Sequence, residues 1–306
     1  MTKDLLRVGD LNREEIEELL DLSQKLKTRQ KEGQRVTPLS GKTLGLIFEK
    51  SSTRTRVSFE VGMYQLGGQS LFLSSKDLQI GRGETIPDTA RVLSRYLDGL
   101  VIRTFGHEIV EEMARHATIP IINGLTDRHH PCQVLADLLT IQEKKQRLQG
   151  LKVSYVGDGN NMANSWLEGA AKLGLHLTLA CPPGYEPDRE TYQEALKEAA
   201  KSGAKIVITH DPRVAAKDAD VLYTDVWASM GQEQEHKERL SAFQGFQLNG
   251  PLLRLAKPEV LVMHCLPAHR GEEITDEVLD GPHSIVWDQA ENRLHLQKGI
   301  LVKWMG

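Results

Sequence analysis

Short apolar runs alternate with amphipathic stretches along most of the chain. The runs have the length of strands and occupy residues 43–48, 99–102, 119–122, 153–156, 176–180, 206–208, 221–223 and 260–263. The stretches between them include helix-compatible segments at 162–172 and 188–201. Strands that alternate with helices indicate βαβ units and parallel sheets.

The first amphipathic stretch has the signals of a complete helix. Asn12 is a candidate N-cap, and Ile16, Leu19, Leu20 and Leu26 follow at helical spacing. Acidic residues at its start and lysines near its end suit the helix dipole. The pattern therefore predicts a helix that begins just after Asn12.

The chain divides near residue 150. Residues 130–147 have the pattern of a long helix, and Gly150 precedes a new strand. We expect an α/β protein of two doubly wound parallel-sheet domains joined by helices, with boundaries at 1–149 and 150–289. A predicted helix at about 290–306 is expected to pack back on the first domain.

Polar clusters follow many of the predicted strands directly. They lie at 49–56, at Arg103, at 129–133 after a loop, at 157–161, at Asp225 and at 264–267. Ligands of open α/β sheets bind at the carboxyl ends of the strands. The repetition predicts one site built at a domain cleft.

Ser52, Thr53, Arg54 and Thr55 follow a strand and open a predicted helix. Backbone N–H groups at a helix start, hydroxyls and a guanidinium together form a cradle for an anion such as phosphate. The same residues are also compatible with an ordinary N-cap followed by surface arginines. Arg56 is expected to pair with a structural carboxylate.

Arg103, His130 and Gln133 are candidates for contacts to a carbonyl or amide. Arg103 ends a strand, where it serves either an ion pair or a ligand, and His130 and Gln133 share one helix face. A capping or packing role for His130 stays open. Cys132 points elsewhere on that helix and is expected to be a small core residue.

Gly157 and Gly159 suggest a dinucleotide-binding turn, but the third glycine of that motif is replaced by Met162. A nicotinamide oxidoreductase is therefore weakly supported. Asn160 and Asn161 at the start of the next helix are alternative ligands for an amino-acid carboxylate.

Asp225 and Cys265 each follow a strand. Asp225 offers a counter-charge to an ammonium group, although a capping aspartate in an ordinary turn fits the segment as well. A nucleophilic cysteine needs a base, and His264 points to the opposite face of an extended strand. An inert thiol is the simpler interpretation of Cys265 taken alone.

Composition excludes several classes of protein. The 306 residues contain 38 Lys and Arg against 42 Asp and Glu, a formal charge of −4. This mildly acidic chain lacks the basic footprint of nucleic-acid binding, and no apolar run approaches the roughly 20 residues of a membrane span. Three separated cysteines and no visible secretory signal predict a cytoplasmic protein without a disulfide framework.

Four motifs together resemble the aspartate/ornithine transcarbamoylase family, and its ornithine branch in particular. They are FEKSSTRTR at 48–56, HPCQ at 130–133, DVWASMG at 225–231 and HCLP at 264–267. The resemblance extends to Arg293. It implies transfer of the carbamoyl group of carbamoyl phosphate to the side-chain amine of L-ornithine, giving L-citrulline and phosphate, a reaction of arginine metabolism.

The resemblance also implies residue roles. The residues implied to bind carbamoyl phosphate are Ser52, Thr53, Arg54, Thr55, Gln79, Arg103, His130, Gln133, Cys265, Leu266 and Arg293. Those implied to hold ornithine are Asn161, Asp225, Ser229 and Met230. Arg54, Arg103, His130 and Cys265 are the implied catalytic residues.

No cofactor and no metal are expected, and the partners are the two small-molecule substrates. A homo-oligomer, either a trimer or a multiple of trimers, is implied by the resemblance. The alternatives are a transcarbamoylase for an N-acylated ornithine or another amine, the nicotinamide oxidoreductase named above, and a non-catalytic phosphate-binding module.

Overall fold

The computed structural model describes residues 3–74, 83–228 and 235–306. The chain forms two compact units, Met1–Leu139 with Glu291–Gly306 and Thr140–Ala290. Each unit contains a parallel sheet with helices between its strands. The α/β class expected from the sequence is therefore confirmed.

The first unit has a four-stranded parallel sheet in the described part of the chain. Its strands are β1 (Thr43–Phe48), β2 (Gln69–Ser74), β3 (Gly99–Arg103) and β4 (Ile121–Leu125). Their order is β2-β1-β3-β4, and Phe48 at the end of β1 lies opposite Arg103 at the end of β3.

The longer helices of the first unit have polar N-cap side chains, except for the fourth, which begins after Gly106. They are α1 (Arg13–Lys31), α2 (Thr53–Gln65), α3 (Ile86–Leu93) and α4 (His107–His116). The Asn12 side chain accepts a hydrogen bond from the Glu15 amide and the Glu15 side chain accepts one from the Asn12 amide, which closes a capping box at α1. The helix α5 (Pro131–Lys145) carries the chain across the first boundary between the units.

The second unit has a five-stranded parallel sheet. Its strands are β5 (Lys152–Val156), β6 (His176–Ala180), β7 (Ile206–Thr209), β8 (Val221–Thr224) and β9 (Leu261–His264). Their order is β7-β6-β5-β8-β9, so the chain builds outward from β5 in both directions.

The helices of the second unit connect these strands. They are α6 (Asn161–Leu173), α7 (Arg189–Ser202), α8 (Pro212–Ala216), α9 (His236–Ala242), α10 (Gly250–Leu253) and α11 (Asp276–Leu279). Asn160 caps α6, and Gly174 ends it with a left-handed φ of 73° that glycine adopts without strain. The last helix, α12 (Val286–Met305), contains the second boundary.

Each unit has its own buried apolar core. In the first unit Ile47, Leu100, Ile102, Val110 and Met113 pack between the sheet and its helices. A second core surrounds Leu222, Phe243 and Val262 in the other unit. Within the residues described, no helix combines the length and the apolar character needed to cross a bilayer.

Several predicted bounds were wrong by a few residues. The strand predicted at 119–122 is β4 and begins at Ile121, because Pro120 has no amide hydrogen to contribute to the ladder. The helix predicted at 130–147 is α5, and the C-terminal helix begins four residues before the predicted 290. The edge strand β2 and the helices α3 and α4 were not predicted.

Both sheets have a topological switch point, where successive connections leave in opposite directions. In the first unit it lies between β1 and β3, and in the second between β5 and β8. Open α/β sheets bind ligands at the carboxyl ends of the strands beside such a point. Those ends are followed by the polar clusters at 49–56, Arg103, 157–161 and Asp225.

Candidate active site

The anion cradle of the first unit lies at the start of α2, directly after β1. Ser52 is the N-cap, and its hydroxyl accepts a hydrogen bond from the Thr55 amide at 3.2 Å. Thr53 is exposed, Arg54 is half-buried and Thr55 is buried. The helix start therefore presents its amide groups, two threonine hydroxyls and a guanidinium within one turn.

His130 lies among three arginines. It is buried immediately before α5, and its carbonyl accepts from the Gln133 amide at 3.1 Å. Burial lowers the pKa of the imidazole well below its ordinary value, and the positive charges of Arg293, Arg103 and Arg54 lower that pKa further. His130 is therefore a neutral imidazole at pH 7, and it offers a hydrogen bond without a full charge.

Arg293 joins the cradle to Gln133. Its guanidinium donates to the Thr55 hydroxyl at 3.0 Å and to the Gln133 side-chain oxygen. The Gln133 amide group donates in turn to Asp137 at 2.9 Å. All of these side chains are buried, so the chain of hydrogen bonds fixes both Gln133 and Arg293 in one orientation.

Arg56 and Cys132 are neighbours of this cluster in the sequence, but their contacts are those of structural residues. Arg56 pairs with Glu60 at 2.9 Å and stacks on the Phe72 ring at 3.7 Å, as a structural arginine does. Cys132 is fully buried, and burial raises the pKa of its thiol to about 12. Gln79 lies outside the described residues.

The second unit brings Asp225 and Cys265 together. Asp225 follows β8, and its Oδ1 accepts hydrogen bonds from the Cys265 thiol and the Val226 amide, both at 2.8 Å. Its Oδ2 accepts from the Asn160 side-chain amide at 2.9 Å. Asn161 is the first residue of α6, and its capping neighbour Asn160 connects it to this carboxylate.

His264 does not act as a base for Cys265. Its Nε2 donates to buried Glu273 at 3.0 Å, and its Nδ1 accepts from the Leu266 amide at 2.8 Å. Both ring nitrogens of His264 are therefore already hydrogen-bonded to other groups. The Cys265 thiol contacts the Asp225 carboxylate instead. The donor atoms of Asp225, His264 and Cys265 lie within 4.8 Å of one another, a spacing compatible with a metal ion.

A buried ion pair supports the loop that carries Asp225. Arg239 on α9 donates to Asp158 at 3.0 Å and to the Trp227 carbonyl at 2.9 Å. Burial raises the pKa of Asp158 to about 6, although the charge of Arg239 opposes that shift. Arg239 thus connects the loop after β5 to the loop after β8.

The glycines of the dinucleotide-like turn have a structural role. The Gly159 amide donates to the Tyr185 carbonyl at 2.9 Å. A Cβ at Gly159 would meet backbone atoms of Glu186 and Pro187 at 2.3 Å, far inside contact distance. Close packing of the chain against itself therefore accounts for Gly159.

The structure thus gathers most of the predicted residues into one cluster in each unit. Ser52, Arg54, Arg103, His130, Gln133 and Arg293 belong to the first, with Thr53 and Thr55 on the same helix start; Asn161, Asp225, Cys265 and Leu266 belong to the second. Ser229 and Met230 lie outside the described residues.

Sequence reasoning missed the supporting roles of Asp137, Asp158, Arg239 and Glu273. It named Asn160 as a candidate carboxylate ligand, not as a partner of Asp225. Asp137 has a visible signal, since an acidic residue one turn after Gln133 interrupts an apolar run. The pairing of Asp158 with Arg239 has none, because 81 residues separate the two partners.

Each unit has a cluster of polar side chains beside its switch point. The cluster of the first unit is cationic, and that of the second contains a carboxylate. This arrangement is typical of α/β enzymes with two ligand-binding units. Comparison with known proteins gives the particular family. The carbamoyl-P binding domain of aspartate/ornithine carbamoyltransferases matches residues 3–143, and the Asp/Orn binding domain matches residues 149–304. The chain belongs to the aspartate/ornithine carbamoyltransferase family.

Similar proteins point to the ornithine branch. The chain is 62% identical to ornithine carbamoyltransferase of Anoxybacillus flavithermus, over 98% of this chain and 96% of that protein. It is 59% identical to the enzyme of that name from Geobacter sulfurreducens, over the full length of both. The solved structure of ornithine carbamoyltransferase from Pyrococcus furiosus superposes with a TM-score of 0.97 at 56% identity, over 99% of this chain and 97% of that one.

Proposed function

We propose that this chain transfers the carbamoyl group of carbamoyl phosphate to the side-chain amine of L-ornithine, giving L-citrulline and phosphate. Relatives named ornithine carbamoyltransferase, 55–62% identical over 98–100% of the chain, support this reaction. The single structural observation that carries it is the partly buried contact of Asp225 with Cys265 at 2.8 Å, in a unit that matches the Asp/Orn binding domain.

The first unit binds carbamoyl phosphate in this proposal. Ser52, Thr53, Arg54 and Thr55 hold the phosphate, and Arg103 contacts both the phosphate and the carbonyl oxygen. The support is the start of α2 with its amide groups, placed beside a half-buried guanidinium. Gln79 completes this set as a proposal from the family resemblance alone.

Gln133 and Arg293 orient the carbamoyl end. Arg293 donates to the Gln133 side-chain oxygen, so the two act as one hydrogen-bonded unit beside Thr55. His130 contacts the carbonyl oxygen as a neutral imidazole, because burial and three arginines hold its pKa low. A neutral donor stabilises a developing oxyanion without repelling the surrounding guanidinium groups.

The second unit binds ornithine. Asp225 supplies a counter-charge to the α-ammonium group, and Asn161 holds the carboxylate end together with Ser229 and Met230. Asn160 keeps the Asp225 carboxylate oriented through its 2.9 Å hydrogen bond. The family resemblance alone assigns Cys265 and the Leu266 backbone to the reacting amine and the carbamoyl group.

The reaction follows from the charges of the reactants. An alkylamine with a pKa near 10.4 is mostly protonated at pH 7, so the enzyme must bind or generate its neutral form. The amine lone pair attacks the carbamoyl carbon, and the C–N bond forms as the C=O electrons move to oxygen. Arg103, His130 and Thr55 stabilise that oxygen. The C–O bond to phosphate then breaks, and the leaving phosphate takes the proton from nitrogen.

The chain assembles through an apolar surface of the first unit, which we call the α2–β2 patch: Val57, Val61, Tyr64, Leu71 and Phe72. These side chains are 50%, 37%, 72%, 49% and 36% exposed, and β2 is an edge strand. Exposed apolar side chains on a helix and on a neighbouring edge strand are typical of subunit contacts. A homotrimer, or a multiple of trimers, is the assembly we propose from the family resemblance.

The cytoplasm is the proposed compartment. Cys132, Cys181 and Cys265 are free thiols. Unpaired cysteines are usual where glutathione and thioredoxin keep thiols reduced.

Citrulline formation tests the function directly. Purified protein is given carbamoyl phosphate with L-ornithine, an N-acetylated ornithine, putrescine or aspartate, and citrulline and phosphate are measured. We expect equal amounts of both products with ornithine, and a far lower rate with the other amines. A preference for the N-acylated substrate would favour the alternative transcarbamoylase, and binding of carbamoyl phosphate without citrulline would favour a non-catalytic module. Either result contradicts the proposal.

A further inference from the structure

Three metal-binding side chains lie together in the second unit, and none of them is among the proposed substrate residues. His236 is the first residue of α9, and His269 and Glu272 lie in the segment between β9 and α11. One donor atom from each side chain lies within 4.8 Å of the other two. Glu272 Oε2 is 3.2 Å from His236 Nε2 and 3.5 Å from His269 Nδ1.

These spacings match the edges of a zinc coordination tetrahedron. Zinc binds imidazole nitrogen and carboxylate oxygen at roughly 2.0–2.2 Å, which places tetrahedral ligands roughly 3.3 Å apart. Two of the three edges therefore have the required length already. Two histidines and a glutamate also form one of the common three-ligand zinc sets, in which water occupies the fourth position.

The segment that carries His269 and Glu272 is held in place by hydrogen bonds. The Gln247 side chain donates to the Gly271 carbonyl at 2.8 Å and to the Glu272 carbonyl at 2.9 Å. The His269 amide donates to buried Glu273 at 2.6 Å. Ligands on a fixed backbone lose less conformational entropy when they bind an ion.

The guanidinium group of Arg270, the residue after His269, pairs with carboxylates other than Glu272. Arg270 donates to Asp276 and Asp280, each at 2.6 Å, so its charge is already compensated by these two carboxylates. The Glu272 carboxylate instead contacts the two imidazoles, and a bound metal ion would replace these contacts with a bond to each of the three side chains.

We propose that His236, His269 and Glu272 bind one zinc ion, which joins the start of α9 to the segment after β9. Imidazole donors suit zinc, copper, iron and nickel, and two histidines with one glutamate are a set that zinc commonly takes. The site lies outside the residues proposed for carbamoyl transfer, and the ion takes no part in that reaction.

Zinc titration of the full-length, chelator-treated protein tests this site. The titration uses a Cys265→Ser background, which removes the thiol of the Asp225–His264–Cys265 group as a competing ligand. We expect one zinc ion per chain by calorimetry. His236→Gln and His269→Gln should each weaken binding about tenfold or more, since even the loss of an outer partner of a metal ligand costs about 10–100-fold.

His210→Gln is the matched control. His210 is 51% exposed and its Nε2 lies 3.7 Å from Glu186, so it is a histidine–glutamate pair without a second histidine. Zinc affinity should not change in this variant. Circular dichroism verifies the fold of each variant, and X-ray absorption at the zinc edge should show two imidazole ligands in the parent and one in each histidine variant.

Two results would overturn the site. One is the absence of saturable zinc binding in the Cys265→Ser protein at zinc concentrations up to roughly 1 mM. A Kd of that size corresponds to a binding free energy of only about −4 kcal/mol. The other is an affinity that stays within about twofold of the parent in both histidine variants, since a true ligand contributes far more than that.

Discussion

Arg54 and Arg56 lie two positions apart on the same helix and have different partners. Arg54 is close enough to His130 to lower the pKa of that imidazole, whereas Arg56 is bound to Glu60 and Phe72. Sequence spacing alone cannot tell a ligand arginine from a structural one. The contacts of Arg56 with Glu60 and Phe72 identify it as structural, and the binding of phosphate by Arg54 is the proposal tested next.

Arg54→Ala should raise the KM for carbamoyl phosphate by roughly 100-fold, because two charge-assisted hydrogen bonds of about 1.5 kcal/mol each are lost. Steady-state kinetics at saturating ornithine measures this effect. Arg56→Gln is the control on the same helix and should stay near the parent value. Near-normal turnover of Arg54→Ala would contradict its assignment to phosphate.

Asp225→Asn should weaken ornithine far more than carbamoyl phosphate. The amide keeps an oxygen for the Cys265 thiol but loses the counter-charge for the α-ammonium group, a change worth about 10- to 100-fold in affinity. The two KM values, each determined with the other substrate saturating, provide the measurement. Equal losses for both substrates would remove Asp225 from the ornithine cluster.

Helices and buried strands follow from local signals, and edge strands do not. Asn12 caps α1, and uninterrupted apolar residues form β1 and β5, so the sequence predicts these elements nearly to the residue. The sequence does not predict β2, because this strand lies at a sheet edge with much of its surface exposed. Its apolar residues therefore do not show the pattern of a buried strand. Contacts between distant residues, such as His264 with Glu273 across a loop, also leave no local pattern.

The ion pair between α9 and the loop after β5 predicts a dependence of stability on pH. The pKa of Asp158 is about 6 in the folded chain and near 3.8 when unfolded, so the folded state binds a proton more tightly between these values. The stability from this group is fully present below pH 3.8 and is lost as the pH rises through 6. Asp158→Asn should remove that change.

Urea denaturation at several values between pH 4.5 and pH 7 checks this prediction. The parent should lose free energy of unfolding, relative to Asp158→Asn, as the pH increases. Asp211→Asn is the control, because hydrogen bonds from Arg213 lower the pKa of that exposed carboxyl below the same range. A constant difference between parent and Asp158→Asn would show that the carboxyl does not titrate in this window.

At the scale of the whole molecule, the order of the strands in each sheet determines where a ligand-binding site can form. Each sheet starts at an inner strand and extends in both directions, which creates one switch point in each unit. The sequence predicts the polar clusters after the strands, but it cannot show which strands are neighbours. Arg103 and Asp225 therefore each keep two interpretations in the sequence. The pairing of β1 with β3 and of β5 with β8 adds that each of them lies beside a switch point.

Subunit assembly through the α2–β2 patch is the last prediction. Leu71→Asp places a charge on the exposed edge strand β2, where a partner copy would have to desolvate it, so the assembly should dissociate. Light scattering after gel filtration should give three times the 34.2 kDa chain mass, or a multiple of that, for the parent, and a smaller species for the variant. Val207→Asp is the matched control: it is also 49% exposed and lies on the edge strand β7 of the other unit. A monomeric parent, or an unchanged mass for Leu71→Asp, would exclude the patch as the subunit contact, because buried uncompensated charge is incompatible with a stable apolar interface.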